Sequence, residues 1–262
     1  MREYTKPVDT HCHIDNAQYD GDRGEIIENI KNSLLFAVNI GYDIPSSEES
    51  MKLALENDNI FASVGIHPTD IGDEWTVETE KKLEEMGKQE KVVAIGEIGL
   101  DYHWMTKPKE TQKLWFRKQM ELAEKLGKPV VVHTREATHD TVEILKEFPG
   151  VRGVLHCYPG SYETACEIME NYYFGVGGVL TFKNSKKSVE FVKEMPLERI
   201  VLETDSPYLT PEPNRGKRNT PLNVEHVARK IAQIKGMTYE EVVEITDRNA
   251  IKLYGVERCF QE

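Results

Sequence analysis

The sequence predicts an α/β fold: a (β/α)8 TIM barrel filling residues 1–262 as a single domain. Three observations point there. Eight short apolar runs, rich in β-branched residues, recur at positions 8–13, 34–40, 60–66, 92–96, 129–133, 152–156, 173–176 and 200–203. Runs of this kind read as strands buried on both faces of a parallel sheet. The segments between them carry helical patterns, and a chain of 262 residues holds eight strand–helix units comfortably. An open, doubly wound sheet is the alternative; the lack of GxGxxG after the first run weakens its dinucleotide-binding form.

Taken in order, the runs are punctuated as strands should be. The second is followed by Gly41, the third by His67-Pro68, the fourth ends at Gly96, the fifth opens on Pro129 and the seventh is followed by Gly177. Such residues break regular structure. Between the fourth and fifth runs, positions 109–126 are rich in helix formers and stop at Gly127, with Pro129 just beyond, the usual C-terminal punctuation. After the sixth run, Tyr162, Ala165, Cys166 and Met169 fall on one helical face. Near the end of the chain, Thr238 and Glu241 have the spacing of a capping box ahead of Val242 and Ile245.

Composition narrows the function. Hydrophobic residues make up 39% and charged residues 30%, with a formal charge of −12. No apolar run reaches membrane-spanning length, and the first residues lack a signal-peptide core. Cys12, Cys157, Cys166 and Cys259 form no CxxC pair, so we expect a cytoplasmic protein without a disulfide framework. The acidic balance excludes broad backbone-electrostatic binding of nucleic acid; any such contact must be local or metal-assisted. No obligate protein partner is evident.

Metal-ligand residue types gather at the ends of the runs. His11 and His13 lie two apart on a strand, so both imidazoles share a face. Glu97 follows the fourth run, His133 ends the fifth, His156 ends the sixth and Asp205 follows the eighth. In a barrel these ends converge on one mouth, where barrel enzymes keep their chemistry. Four imidazoles and two carboxylates suit two divalent ions, with Zn, Mg, Mn, Fe and Ni unresolved by the donor types. Glu97 can bridge two ions through its two oxygens, and Asp205 can take a proton from water and return one to a leaving group. These two are the candidate catalytic residues.

The segments Asp-Thr-His-Cys-His-Ile-Asp (9–15), Gly-Ile-His-Pro (65–68), Gly-Glu-Ile-Gly-Leu-Asp-Tyr (96–102), His-Thr-Arg-Glu-Ala (133–137), His-Cys-Tyr (156–158), Glu-Thr-Asp-Ser-Pro-Tyr-Leu (203–209) and Arg-Asn-Thr-Pro (218–221) span nearly the whole chain. Together they resemble the TatD family of metal-dependent deoxyribonucleases, within the amidohydrolase-like barrels. The resemblance implies divalent metals and hydrolysis of DNA phosphodiesters. It implies that His11, His13, Glu97 and Asp205 hold one ion, and Glu97, His133 and His156 the other. Glu97 stands where related barrels often carry a modified lysine. Thr220 and Pro159 depart from the family's usual Glu and Ser.

On the substrate side we expect His67, Arg135 and Arg218 to touch phosphate, DNA or another phosphodiester being the substrate. A site of the same type acting on an amide, lactone or other small ester is the alternative. Asp9 and Glu203 are candidate supports for ligating histidines. Lys183, Lys186, Lys187, Arg215 and Lys217 are the local cations that could offset the acidic total, and Tyr102, Tyr158 and Tyr208 could stack on a base. His103, His139 and His226 read as surface residues and Cys157 as core.

Overall fold

The computed structural model describes residues 6–260. Its eight strands are β1 (Asp9–Cys12), β2 (Ala37–Ile40), β3 (Ile60–Val64), β4 (Val92–Asp101), β5 (Val130–Arg135), β6 (Gly153–Leu155), β7 (Tyr172–Val176) and β8 (Ile200–Leu202). They pair in parallel and in chain order. Between and after them run α1 (Arg23–Ser33), α2 (Ile44–Glu56), α3 (Val77–Gly87), α4 (Lys109–Leu126), α5 (Thr138–Lys146), α6 (Tyr162–Cys166), α7 (Lys186–Glu194), α8 (Val224–Lys235) and α9 (Tyr239–Tyr254). This is the expected single-domain (β/α)8 barrel.

Closure happens beside the predicted ligands. The His13 N–H donates to the Ser206 carbonyl at 2.8 Å, the Asp205 N–H donates to the His11 carbonyl at 2.9 Å, and Cys12 pairs in parallel with Ser206. Below this seam, Asp9 accepts the backbone N–H of Thr204 at 3.0 Å and its hydroxyl as well.

Side-chain alternation explains the apolar runs. Ala62, Ile95, Val130, Val132, Phe174 and Leu202 pack outward against the helices, while Val38, Phe61, Val93, Val131, Val154 and Val201 form a separate buried cluster joined by Leu253, Tyr254 and Val256 after and within α9. Residues two apart on a strand share a face. Val131 therefore puts His133 on its own side, Val154 does so for His156, and Val201 for Glu203. The apolar cluster is the floor on which the polar mouth stands.

Local signals account for the helices. Gly127 closes α4 in the left-handed conformation at φ 63°, and Thr238 with Glu241 forms the capping box of α9. Helix α6 ends at Cys166, so Met169 lies outside it; the chain must turn back to enter β7 at Tyr172. Strand β4 runs five residues past the predicted end. Gly99 permits this, since a Cβ there would lie 2.0 Å from the His133 carbonyl oxygen, and its φ is +138°.

Candidate metal centre

The mouth holds a cavity of about 250 Å3 lined by His13, Asn16, Tyr42, His67, Asp70, Glu97, His133, His156, Asp205 and Tyr208. His11 lies beneath, fully buried. Its Nε2 is 3.3 Å from His13 Nε2, 3.5 Å from Glu97 Oε2 and 3.7 Å from Asp205 Oδ1. His13 Nε2 lies 3.5 Å from the same Asp205 oxygen, and its Nδ1 donates to the Ile40 carbonyl at 3.0 Å, which fixes the ring and leaves Nε2 free as a donor atom. His156 stacks on His11 with ring centres 3.6 Å apart, its Nε2 3.9 Å from Asp205.

The other oxygen of Glu97 faces a second group. Oε1 lies 3.1 Å from His133 Nδ1 and 3.8 Å from His67 Nε2. Four sets bring ligand atoms within 4.8 Å of one another: His11–His13–Asp205, His11–Glu97–His156, His67–Glu97–His133 and, to one side, His156–Cys157–Glu203. All six predicted ligands converge. The partition differs from the expected one: His156 groups with His11, and His67 takes the place beside His133.

Charge organises the cluster. Burial raises the pKa of Glu97, but His67, His11 and His133 outweigh it and hold the carboxyl well below its usual range. Asp205 is lowered in the same way, burial being overcome by His13, His156 and His11. Burial opposes a charge on His156, yet Glu203 and Asp205 push its pKa up to about 10. His11, buried and beside His156, is lowered. Ionised carboxylates facing imidazole nitrogens form a set on which protons and a divalent cation compete. The residues fit such an ion by donor type and by the convergence of their ligand atoms.

A family model described as TatD-related DNase matches residues 8–255. The chain belongs to the TatD family of metal-dependent hydrolases. It is 47% identical to the uncharacterized metal-dependent hydrolase YabD of Bacillus subtilis, over 95% of this chain and 98% of the relative. It is 35% identical to YcfH of Escherichia coli K12, also described as a metal-dependent hydrolase, over 95% and 96%. Among solved structures, the TatD homologue YjjV of E. coli K12 superposes with a TM-score of 0.86 at 25% identity, covering 95% of this chain and 97% of that one. A TatD-family hydrolase from Entamoeba histolytica shares the fold at a TM-score of 0.83 and 24% identity, over 97% and 99%.

Around the candidate ligands lie supporting groups, some of them at positions the sequence pattern does not mark. Glu203 Oε1 accepts the Cys157 N–H at 2.7 Å and lies 3.2 Å from His156 Nδ1, out of hydrogen-bond alignment. Asp9, expected to brace the His11 ring, instead accepts the His11 backbone N–H at 3.2 Å; it sits below the ring and is tied to Thr204. Asp101 was missed. Its Oδ2 is 3.0 Å from His133 Nε2, while its Oδ1 accepts the N–H groups of His103 and Trp104. Strand parity with Glu97 is the available signal, and Gly96 and Gly99 obscure it by interrupting the apolar run. Asp70, Tyr42 and Asn16 reach the cavity from loops, which carry no periodic pattern.

The substrate-side residues separate. His67 lines the cavity. Arg135 is exposed at the end of β5, with its guanidinium 5.7 Å from the Trp104 ring. Arg218 forms a fork on Asp22, bonds the Gln18 carbonyl and lies 4.5 Å over the Tyr19 ring, and it does not line the cavity. Of the three tyrosines, Tyr102 donates to Asp140 and Tyr158 packs on Phe174, whereas Tyr208 lines the mouth. Arg215 stacks on Phe182 at 3.9 Å, and Lys187 borders a separate apolar cavity with Cys157, Pro159 and Phe191. No helix among the described residues is long and apolar enough to cross a membrane.

Proposed function

We propose that this protein is a DNase that hydrolyses phosphodiester bonds with two divalent ions sharing Glu97. The observation that carries the reading is the split of Glu97: Oε2 faces His11 and Oε1 faces His133 and His67. His11, His13 and Asp205 would hold one ion. His133 and His156 would hold the other, as the family resemblance implies, although the geometry sets His156 against His11 and His67 against His133. When bound, such ions supply Lewis acidity that polarises the phosphoryl group and lowers the pKa of water.

The chain's own residues do the rest. Asp205 reaches the mouth at the closing seam in a left-handed conformation (φ 55°), which aims its carboxylate at both His11 and His13. Held ionised, it accepts a proton from water and returns one to the leaving oxygen. Asp101 and the Ile40 carbonyl hold the rings of His133 and His13. His67 and Arg135 contact phosphate. Arg218, committed to Asp22, braces the loops that follow β1 and β8. Free thiols at all four cysteines suit a reducing cytosol.

The test is to incubate metal-loaded protein with a DNA oligonucleotide and with a panel of amides and lactones. DNA cleavage that is lost on chelation is expected. Amide or lactone turnover without DNA cleavage would overturn the nuclease reading and leave the metal-dependent hydrolase standing.

A further inference from the structure

We propose that Trp104 and Arg135 form a nucleotide subsite on the barrel rim, the indole stacking on an unpaired base and the guanidinium holding the adjoining phosphate. The inference rests on the nuclease reading and adds to it where a flanking nucleotide is gripped. Among the large apolar side chains left exposed in the described residues, only Trp104 (58% exposed) and Tyr208 (49%) are aromatic. Both lie on loops that follow strands at the ligand-bearing end of the barrel, after β4 and β8.

Trp104 is tied to the centre through a single carboxylate. Asp101 Oδ1 accepts the N–H groups of His103 at 2.9 Å and Trp104 at 2.7 Å, while its Oδ2 is 3.0 Å from His133 Nε2. Arg135 is the ladder partner of Asp101, and its carbonyl accepts the Tyr102 N–H at 2.9 Å. Its guanidinium lies over the Trp104 ring, 5.7 Å from the ring centre, His103 packs edge-on against the same ring at 4.8 Å, and among the described residues the guanidinium enters no ion pair. The carboxylates nearby in sequence are occupied: Glu136 by His103 at 2.7 Å, and Asp140 by Lys113 at 2.8 Å and Tyr102 at 2.6 Å. An indole that is 58% exposed, paired with a guanidinium that no carboxylate neutralises, fits one base and one phosphate of a single strand. Paired bases in a duplex offer no free face.

The experiment uses protein stripped of metal with EDTA, and compares oligothymidylate with an abasic oligomer of equal length. Trp104 is the exposed indole, since Trp115 is buried and Trp75 packs edge-on against it at 5.0 Å. Oligothymidylate should quench tryptophan emission, and the abasic oligomer should not. Trp104→Ala should abolish the quenching and weaken oligothymidylate binding at least about fivefold, with Trp104→Phe restoring most of the affinity. Arg135→Ala should weaken both oligomers and reduce the log K against log salt slope by about one. No base-dependent quenching in wild type, or unchanged affinity in Trp104→Ala, overturns the subsite; if wild type still cleaves DNA when metal is restored, the nuclease reading survives. Wild type that neither binds nor cleaves DNA overturns both.

Discussion

Replacing Asp101 by Asn should weaken metal binding while leaving the barrel folded. Burial pushes Asp101 upward, but His133 and the N–H groups of Trp104 and His103 outweigh it and bring its pKa to about 2, so it is ionised at any working pH. An ionised carboxylate at 3.0 Å only accepts, so His133 keeps a proton on Nε2; the Nδ1 proton, shared with Glu97 Oε1 at 3.1 Å, is the one a cation displaces to take the Nδ1 lone pair. Asn keeps an oxygen for the two backbone donors but presents an NH2 to His133. That favours the other tautomer, with the proton on Nδ1, where it blocks ligation. Loss of such a support costs about 10–100-fold in metal affinity, or about 1.4–2.7 kcal/mol. Calorimetric titration of Zn or Mn into chelator-stripped Asp101→Asn should show one of two sites weakened by that factor, with an unchanged far-UV CD spectrum. Two affinities within threefold of wild type would refute the tautomer argument.

Further outcomes follow from the same geometry. Asp205→Asn should lower kcat by about 10²–10⁴ with the fold intact; wild-type turnover would remove Asp205 from proton transfer. A His133→Ala/His156→Ala double variant should lose one ion per chain by elemental analysis, and unchanged content would reject these ligands. Asp247 is buried in α9, with Oδ1 accepting the Val8 N–H at 3.0 Å and Oδ2 without a partner among the described residues; burial holds its pKa well above the usual range. Its contribution to stability is therefore fully present below the unfolded pKa of about 3.9 and is lost as pH rises through the folded value. Asp247→Asn keeps the Val8 bond and removes the titration, so it should raise the unfolding free energy at pH 7 by roughly 1–3 kcal/mol and much less near pH 3; equal effects at both pH values would contradict this. Arg218→Ala should leave the salt dependence of oligonucleotide binding unchanged, since its guanidinium is spent on Asp22 and Tyr19; a log K against log salt slope reduced by about one would place it on a phosphate.

The strand ends and the convergence of the six candidate side chains were legible because parallel strands are buried on both faces and barrel mouths collect strand-end residues. His11, His13, His133 and His156 stood out as polar side chains closing apolar runs. The far half of β4 was not legible, because Gly96 and Gly99 break the apolar run while serving close strand approach. With it went Asp101, although its parity with Glu97 was visible in principle. Which imidazole pairs with which carboxylate depends on ring orientation, as the placement of His67 beside His133 illustrates. Exposure of Trp104 and the engagement of Arg218 with Asp22 are tertiary outcomes that no local pattern encodes.

The most direct test of the shared-carboxylate centre is an anomalous-scattering map of crystals grown with a transition-metal ion. Two peaks about 3.5–4 Å apart, one beside each Glu97 oxygen, are predicted. A single peak, or a pair that Glu97 does not touch, would contradict the account.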